Sequence, residues 1–107
     1  MKLNRDLLLG EIAVKYTGTV YSSAKVALAY DCIFIAEEWL NNPTGYPITE
    51  GVTNKHLRKD LKKYIKGRIN AGRYRSKTHG FIPSFIWWWI ANAVISWIVN
   101  KIIEIYF

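Results

Sequence analysis

The chain has 107 residues, half of them hydrophobic, with five Trp, seven Tyr and four Phe. This length allows one small domain and excludes a large nucleotide-binding sheet, and the apolar content excludes a disordered chain. The net charge of +7 is unevenly spread, because residues 55–80 hold ten basic residues and one acidic residue. Residues 1–54 are net −2 and residues 81–107 are neutral. The single cysteine, Cys32, excludes an internal disulfide and a multi-cysteine metal site.

Two helices are predicted in the first part of the chain. The first covers residues 4–16, because Asn4 is a favourable N-cap and apolar residues recur every four positions after it. Gly18 then provides a natural stop. The second helix covers residues 22–41, starting at serines and ending at an Asn-Asn-Pro sequence. A loop with two prolines and two glycines follows over residues 42–52.

A basic amphipathic helix is predicted from residue 53 or 54 to about residue 70. Lys and Arg cover most of its surface, and its apolar residues recur every four positions, at Leu57, Leu61, Ile65 and Ile69. Gly72 ends this helix, and residues 73–80 form a basic linker. We therefore expect a small helical domain over residues 1–72, then the linker, then a C-terminal helix within residues 81–107.

The C-terminal segment predicts a long apolar helix that associates with a membrane. Residues 81–100 carry no charged side chain. Twenty helical residues rise about 30 Å, which matches the hydrocarbon core of a bilayer. Pro83 fits only the first turn of a helix, so we expect the helix to begin near Ile82. The complete fold is thus predicted to be all-α.

Aromatic residues near both ends of this segment resemble the belts found at membrane interfaces. Three consecutive tryptophans cover roughly 200° of a helix, more than a helix packed on one side of a small core can bury. We expect these membrane-interface aromatics to be Trp87, Trp88, Trp89, Tyr106 and Phe107. Two registers remain open. A span from Trp88 to Tyr106 would place Lys101 and Glu104 inside the bilayer, whereas a span from Ile82 to Asn100 would set the tryptophans deeper than a belt.

A stripe of small and amide side chains predicts a contact between this helix and another helix. The stripe consists of Asn92, Ala93, Ser96 and Asn100. The alternative is a buried helix in a soluble oligomer, in which the same stripe would be the more solvent-exposed edge of the helix.

The basic block predicts contact with anionic lipid or with nucleic acid. Its candidate contact residues are Arg58, Lys59, Lys62, Lys63, Lys66, Arg68, Arg73, Arg75 and Lys77. Because basic residues precede the apolar segment and only Lys101 follows it, the positive-inside rule places residues 1–80 in the cytoplasm. Tyr64, Tyr74 and His79 could stack on bases, although no recognised nucleic-acid-binding motif is present. The simplest alternative is a solvated helix face that confers solubility.

The sequence contains no recognisable catalytic or metal-binding motif. Cys32 with His56 or His79 is a possible nucleophile pair, but the apolar neighbours of Cys32 favour an inert buried thiol. The carboxylates of the second helix are typical of a solvated face. We therefore expect no enzymatic activity, no cofactor and no small-molecule substrate.

Together these patterns predict a non-enzymatic structural or anchoring subunit of a larger assembly, either a membrane complex or a virus particle. Its C-terminal helix would form a single membrane span, with the N-terminal domain in the cytoplasm or in the interior of the particle, and its partners would be lipid and other protein subunits. One alternative is a soluble nucleic-acid-binding module with a buried Trp-rich helix. Another is a pore-forming or lysis-type membrane protein. The first ten residues do not resemble a secretory signal, so we expect any membrane contact to involve the C-terminal part.

Overall fold

The computed structural model describes residues 3–41, 53–71 and 82–107, and these residues form four helices and no strand. The all-α prediction is confirmed. The helices are α1 (Arg5–Tyr16), α2 (Ser22–Asn41), α3 (Asn54–Asn70) and α4 (Ser84–Tyr106). The predicted loop over residues 42–52 and the predicted basic linker over residues 73–80 lie outside the described residues.

Local side-chain hydrogen bonds define the starts of α1 and α3. The Asn4 side chain accepts from the backbone N–H of Leu7 at 3.1 Å, and the Thr53 hydroxyl accepts from that of His56 at 3.3 Å. Each bond satisfies one of the free donors in a first helical turn. Pro83 stands immediately before α4, where its missing N–H costs no hydrogen bond. Three of the four helix starts thus follow from residues that cap or open a helix.

A short turn joins α1 to α2. Gly18 adopts a φ of 81°, a left-handed conformation that glycine takes without a steric penalty. Tyr21 also has a positive φ, 57°, directly before α2 begins. The turn reverses the chain, so that Arg5 at the start of α1 reaches Glu37 near the end of α2 with a 2.7 Å ion pair. Helices α1 and α2 are therefore antiparallel.

The core is shared by all four helices. Helix α2 packs against each of the other three, and α4 packs against both α2 and α3. Helix α3 buries the apolar stripe predicted from its sequence, in which none of the four residues is more than 2% exposed. Helix α4 buries nine residues, because it is covered on two sides. The separation of residues 81–107 from the helical domain remains a prediction for a membrane-bound form of the chain.

The C-terminus is held at the end of the bundle where the chain begins. The backbone N–H of Asn4 donates to the Tyr106 hydroxyl at 2.7 Å, and the Phe107 ring meets the Trp39 ring edge-on at 6.5 Å. Further along, Lys101 on α4 lies 3.7 Å from Glu11 on α1. These contacts show that α4 runs antiparallel to α1.

Candidate anion-binding surface

Helix α3 directs an unusual amount of positive charge away from the core. Its 17 residues include seven Lys or Arg and one Asp. Because burial of Leu57, Leu61, Ile65 and Ile69 fixes the rotation of the helix, the charged residues are divided between the two sides of that stripe. The two sides differ in the contacts that their charged side chains make.

One side of α3 is attached to α2 through a single carboxylate. Arg68 lies 3.2 Å from Glu38, and the Tyr64 hydroxyl donates to the same carboxylate at 3.4 Å. The neighbouring Glu37 binds Arg5 instead, so two consecutive carboxylates of α2 hold α1 and α3 respectively. Arg68, one of the predicted anion contacts, thus also forms a partly exposed ion pair between α3 and α2.

The other side of α3 forms a continuous cationic surface, which we call the basic flank. Six side chains line one shallow depression there, namely Lys55, Arg58, Lys59, Lys62, Lys63 and Lys66. Among the described residues none of the six has an ion-pair partner. Five of them were predicted from the sequence. Lys55 was missed, although its position four residues before Lys59 is the signal that identifies it.

Repulsion between the like charges of the basic flank lowers the stability of the helix. Four pairs of like charges are spaced i, i+4 along it, beginning at Lys55, Arg58, Lys59 and Lys62. Each such pair destabilises a helix by about 0.2–0.5 kcal/mol, so the four together cost about 1–2 kcal/mol at low salt. In addition, the Nε of Arg58 is shielded from solvent and has no hydrogen-bond partner among the described residues. The like-charge repulsion along the flank would be relieved by an anion.

Arg73, Arg75 and Lys77, predicted as further contacts, lie outside the described residues, as do Tyr74 and His79. Tyr64, the remaining candidate for base stacking, belongs to the side of α3 that binds Glu38. The described basic flank therefore contains no aromatic side chain.

The three consecutive tryptophans face in three directions. Trp87 is 1% exposed and lies in the core, and Trp88 is half-buried with its ring edge-on to that of Trp87 at 4.8 Å. Trp89 is 76% exposed. Successive side chains of a helix are rotated by about 100°, so three consecutive residues of a partly buried helix reach a buried, a half-buried and an exposed position. Trp89 is thus the member of the triplet that is available for an external contact in this structure.

The polar stripe of α4 points outward. Asn92, Ala93 and Asn100 are exposed and Ser96 is half-buried. With Trp89 and Phe85, which is 77% exposed, they form the outer face of α4. Most of the stripe is therefore not buried by packing within the described bundle.

Comparison with protein-family models, with curated proteins and with solved structures found no match.

Of the three residues named as a possible nucleophile pair, the structure describes Cys32 and His56. Cys32 is fully buried, and burial raises the pKa of its thiol well above the ordinary range. A thiol of this kind stays protonated and is a poor nucleophile. The Nδ1 of His56 lies 2.9 Å from the Thr53 hydroxyl at the start of α3. Among the described residues no group of three or more His, Cys, Asp or Glu side chains could hold a metal ion.

Helix α4 is long and apolar enough to cross a membrane, as the sequence predicted. Half of its most apolar window is buried inside the bundle. The core helix of a soluble protein has the same length and composition, so this property by itself is weak support for a span. What the structure adds is that the apolar face of α4 already has partners in α2 and α3.

Proposed function

We propose that the protein is a non-enzymatic anchoring subunit that binds an anionic lipid surface through the basic flank of α3. The observation that carries this proposal is the cluster of six cations with no ion-pair partner among the described residues. The cluster lies on a helix whose opposite face is fully buried, so an anionic surface can approach without disturbing the core.

The magnitude of the attraction fits reversible binding at a surface. Each basic residue near an anionic membrane contributes about 1 kcal/mol, so the basic flank supplies up to about 6 kcal/mol. At this upper limit the dissociation constant is about 40 μM. A subunit that is also held by neighbouring proteins needs no stronger attachment.

Lipid is favoured over nucleic acid by the kind of cation and by the missing aromatic residues. Five of the six residues are Lys, a hydrated point charge, whereas Arg is the better residue for bidentate recognition of phosphate. Stacking on bases requires aromatic side chains, and the described flank has none. Attraction to an anionic lipid surface requires neither bidentate Arg contacts nor aromatic side chains.

The outer face of α4 supports the assembly part of the proposal. Small and amide side chains are suited to close packing between helices, and here they are exposed. Trp89 and Phe85 extend this face with two large exposed rings, of the kind that anchor interfaces between proteins. We assign this face to contact with another subunit.

A second candidate is the spanning form, which is favoured by the length and apolar character of α4. In that form α4 would leave α2 and α3 and cross the bilayer, with residues 1–80 on the cytoplasmic side because of the basic residues that precede it. It would have to replace the helix contacts of nine buried side chains with contacts to lipid.

Binding of the full chain to vesicles tests the proposal. Vesicles of phosphatidylcholine with phosphatidylserine should bind the wild type, and pure phosphatidylcholine should not. The triple variant Lys59→Gln, Lys62→Gln and Lys66→Gln should bind about a hundredfold more weakly, at about 1 kcal/mol per charge. Undiminished binding of the triple variant would refute the proposal.

Two single variants provide the matched control, since each lowers the net charge by one. Lys62→Gln should weaken binding about fivefold, whereas Lys101→Gln should have little effect because Lys101 is already paired with Glu11. Equal losses would show that net charge alone matters. Release of vesicle-bound protein by duplex DNA at equal phosphate concentration would assign the flank to nucleic acid instead.

A further inference from the structure

A second cationic site lies away from α3, where the end of α1, the start of α2 and the first half of α4 meet. A cleft of about 260 Å³ opens there. Its lining combines two lysines, Lys15 and Lys25, with the rings of Tyr16, Trp89 and Trp97 and with apolar residues of α4. Trp89 and Ala93 also belong to the outer face of α4 assigned above to subunit contact, whereas the two lysines and the rings of Tyr16 and Trp97 have been assigned no role.

The interior of the cleft is apolar and largely aromatic. Tyr16 is 6% exposed and meets Trp97 edge-on, with 5.5 Å between ring centroids and 75° between their planes. Burial raises the pKa of the Tyr16 phenol. Val94 is 1% exposed and contributes an aliphatic surface. Such an interior favours a hydrocarbon group.

The cleft also has a cationic rim. The ammonium of Lys25 lies 5.9 Å above the centre of the Tyr16 ring and donates to the Thr19 hydroxyl at 3.3 Å. Lys15 lies in the last turn of α1, one residue before Tyr16. Neither lysine forms an ion pair with any described residue. Two unpaired cations beside an apolar cleft are complementary to an amphiphile with an acidic headgroup.

We propose that this cleft binds a single-chain amphiphile with an acidic headgroup, with the apolar chain against Tyr16 and Trp97 and the headgroup between Lys15 and Lys25. The volume is below the range of about 300–1,000 Å³ that is typical of sites for drug-sized ligands, so the cleft accepts one short chain or the end of a longer one. A fatty acid and a monoacyl phosphate share this chemistry. The site is independent of the basic flank and does not require α3 to bind a bilayer.

The test is titration of the full chain with decanoate and with decyl phosphate, both below their micellar concentrations. Trp fluorescence and calorimetry follow binding. The two ligands distinguish a carboxylate headgroup from a phosphate headgroup, and binding of either one supports the site. Inorganic phosphate and decyl maltoside should bind at least about tenfold more weakly, because each lacks one of the two recognised parts. Decyl maltoside binding as tightly as the anions would overturn the proposal.

Two double variants with equal charge separate this site from general electrostatics. Lys15→Gln with Lys25→Gln should weaken binding of the better ligand about tenfold or more, while Lys62→Gln with Lys66→Gln on the basic flank should leave it unchanged. Equal effects of the two double variants would overturn the proposal. Ala93→Phe, at an exposed position on the edge of the cleft, should fill it and block binding without disturbing the core.

Discussion

Helices α3 and α4 contribute to the same core but present opposite kinds of surface to the outside. Helix α3 buries four residues in one narrow stripe, and the rest of its surface is strongly cationic. Helix α4 buries nine residues, and its outer face carries amides, small residues and two exposed aromatic rings. Residues 81–100 carry no charged side chain, and burial of α4 against two neighbouring helices explains this absence as well as insertion into a bilayer would. The cationic surface of α3 has no such internal explanation.

Substitution of a buried and an exposed tryptophan of α4 gives the largest expected difference in the free energy of unfolding. Trp87→Ala removes a side chain that is 1% exposed and should lower the free energy of unfolding by about 3–5 kcal/mol. Trp89→Ala removes a side chain that is 76% exposed and should change it by about 0.5 kcal/mol or less. Urea denaturation of both variants measures the difference. Similar losses from both would mean that Trp89 is buried like Trp87 and that α4 has no exposed outer face.

The buried thiol of Cys32 reports on the core that both helices cover. Its pKa is raised in the folded state, so the unfolded chain loses this proton first and the stability falls as the pH rises above the ordinary range for a thiol. The expected slope is about 1.4 kcal/mol per pH unit above about pH 9. Cys32→Ala should remove this part of the alkaline destabilisation. Identical alkaline slopes of wild type and variant would show that the thiol is not buried as described.

Relief of like-charge repulsion on α3 should have a smaller effect of the opposite sign. Lys59→Gln with Lys62→Gln removes all four i, i+4 pairs on the basic flank and should stabilise the fold by about 1–2 kcal/mol at low salt. The gain should shrink as salt is added, because screening weakens exposed charges. Thermal denaturation at two salt concentrations measures it. Lys101→Gln breaks the contact with Glu11 and should not stabilise, so a gain there would contradict the explanation.

Much of the fold followed from local sequence signals. Asn4 and Thr53 cap helices as neighbouring backbone groups require, and the four-residue spacing from Leu57 identified the buried stripe of α3. Three consecutive tryptophans, in contrast, have no periodicity that selects which one is buried. That choice depends on α2 and α3, which cover α4 only after the chain has folded.

The candidate sites were predictable to different extents. The basic flank is a run of helical neighbours, so five of its six residues were predicted from the sequence, and the spacing to Lys59 is the signal for the sixth, Lys55. The pairing of Arg68 with Glu38 joins residues 30 positions apart, and no local pattern indicates it. The cleft beside Tyr16 combines the end of α1 with the middle of α4, and it exists only through tertiary packing.

The proposed function requires α3 to contact the anionic surface while α4 stays in the bundle. Environment-sensitive fluorophores on Lys63→Cys and Asn100→Cys test it directly, because both positions are exposed and the native Cys32 is buried and unreactive. On vesicles containing phosphatidylserine, the emission of the label at position 63 should shift to shorter wavelength, and that of the label at position 100 should remain as in water. A large shift at position 100 would contradict the account, since it would place α4 in the hydrocarbon of the bilayer.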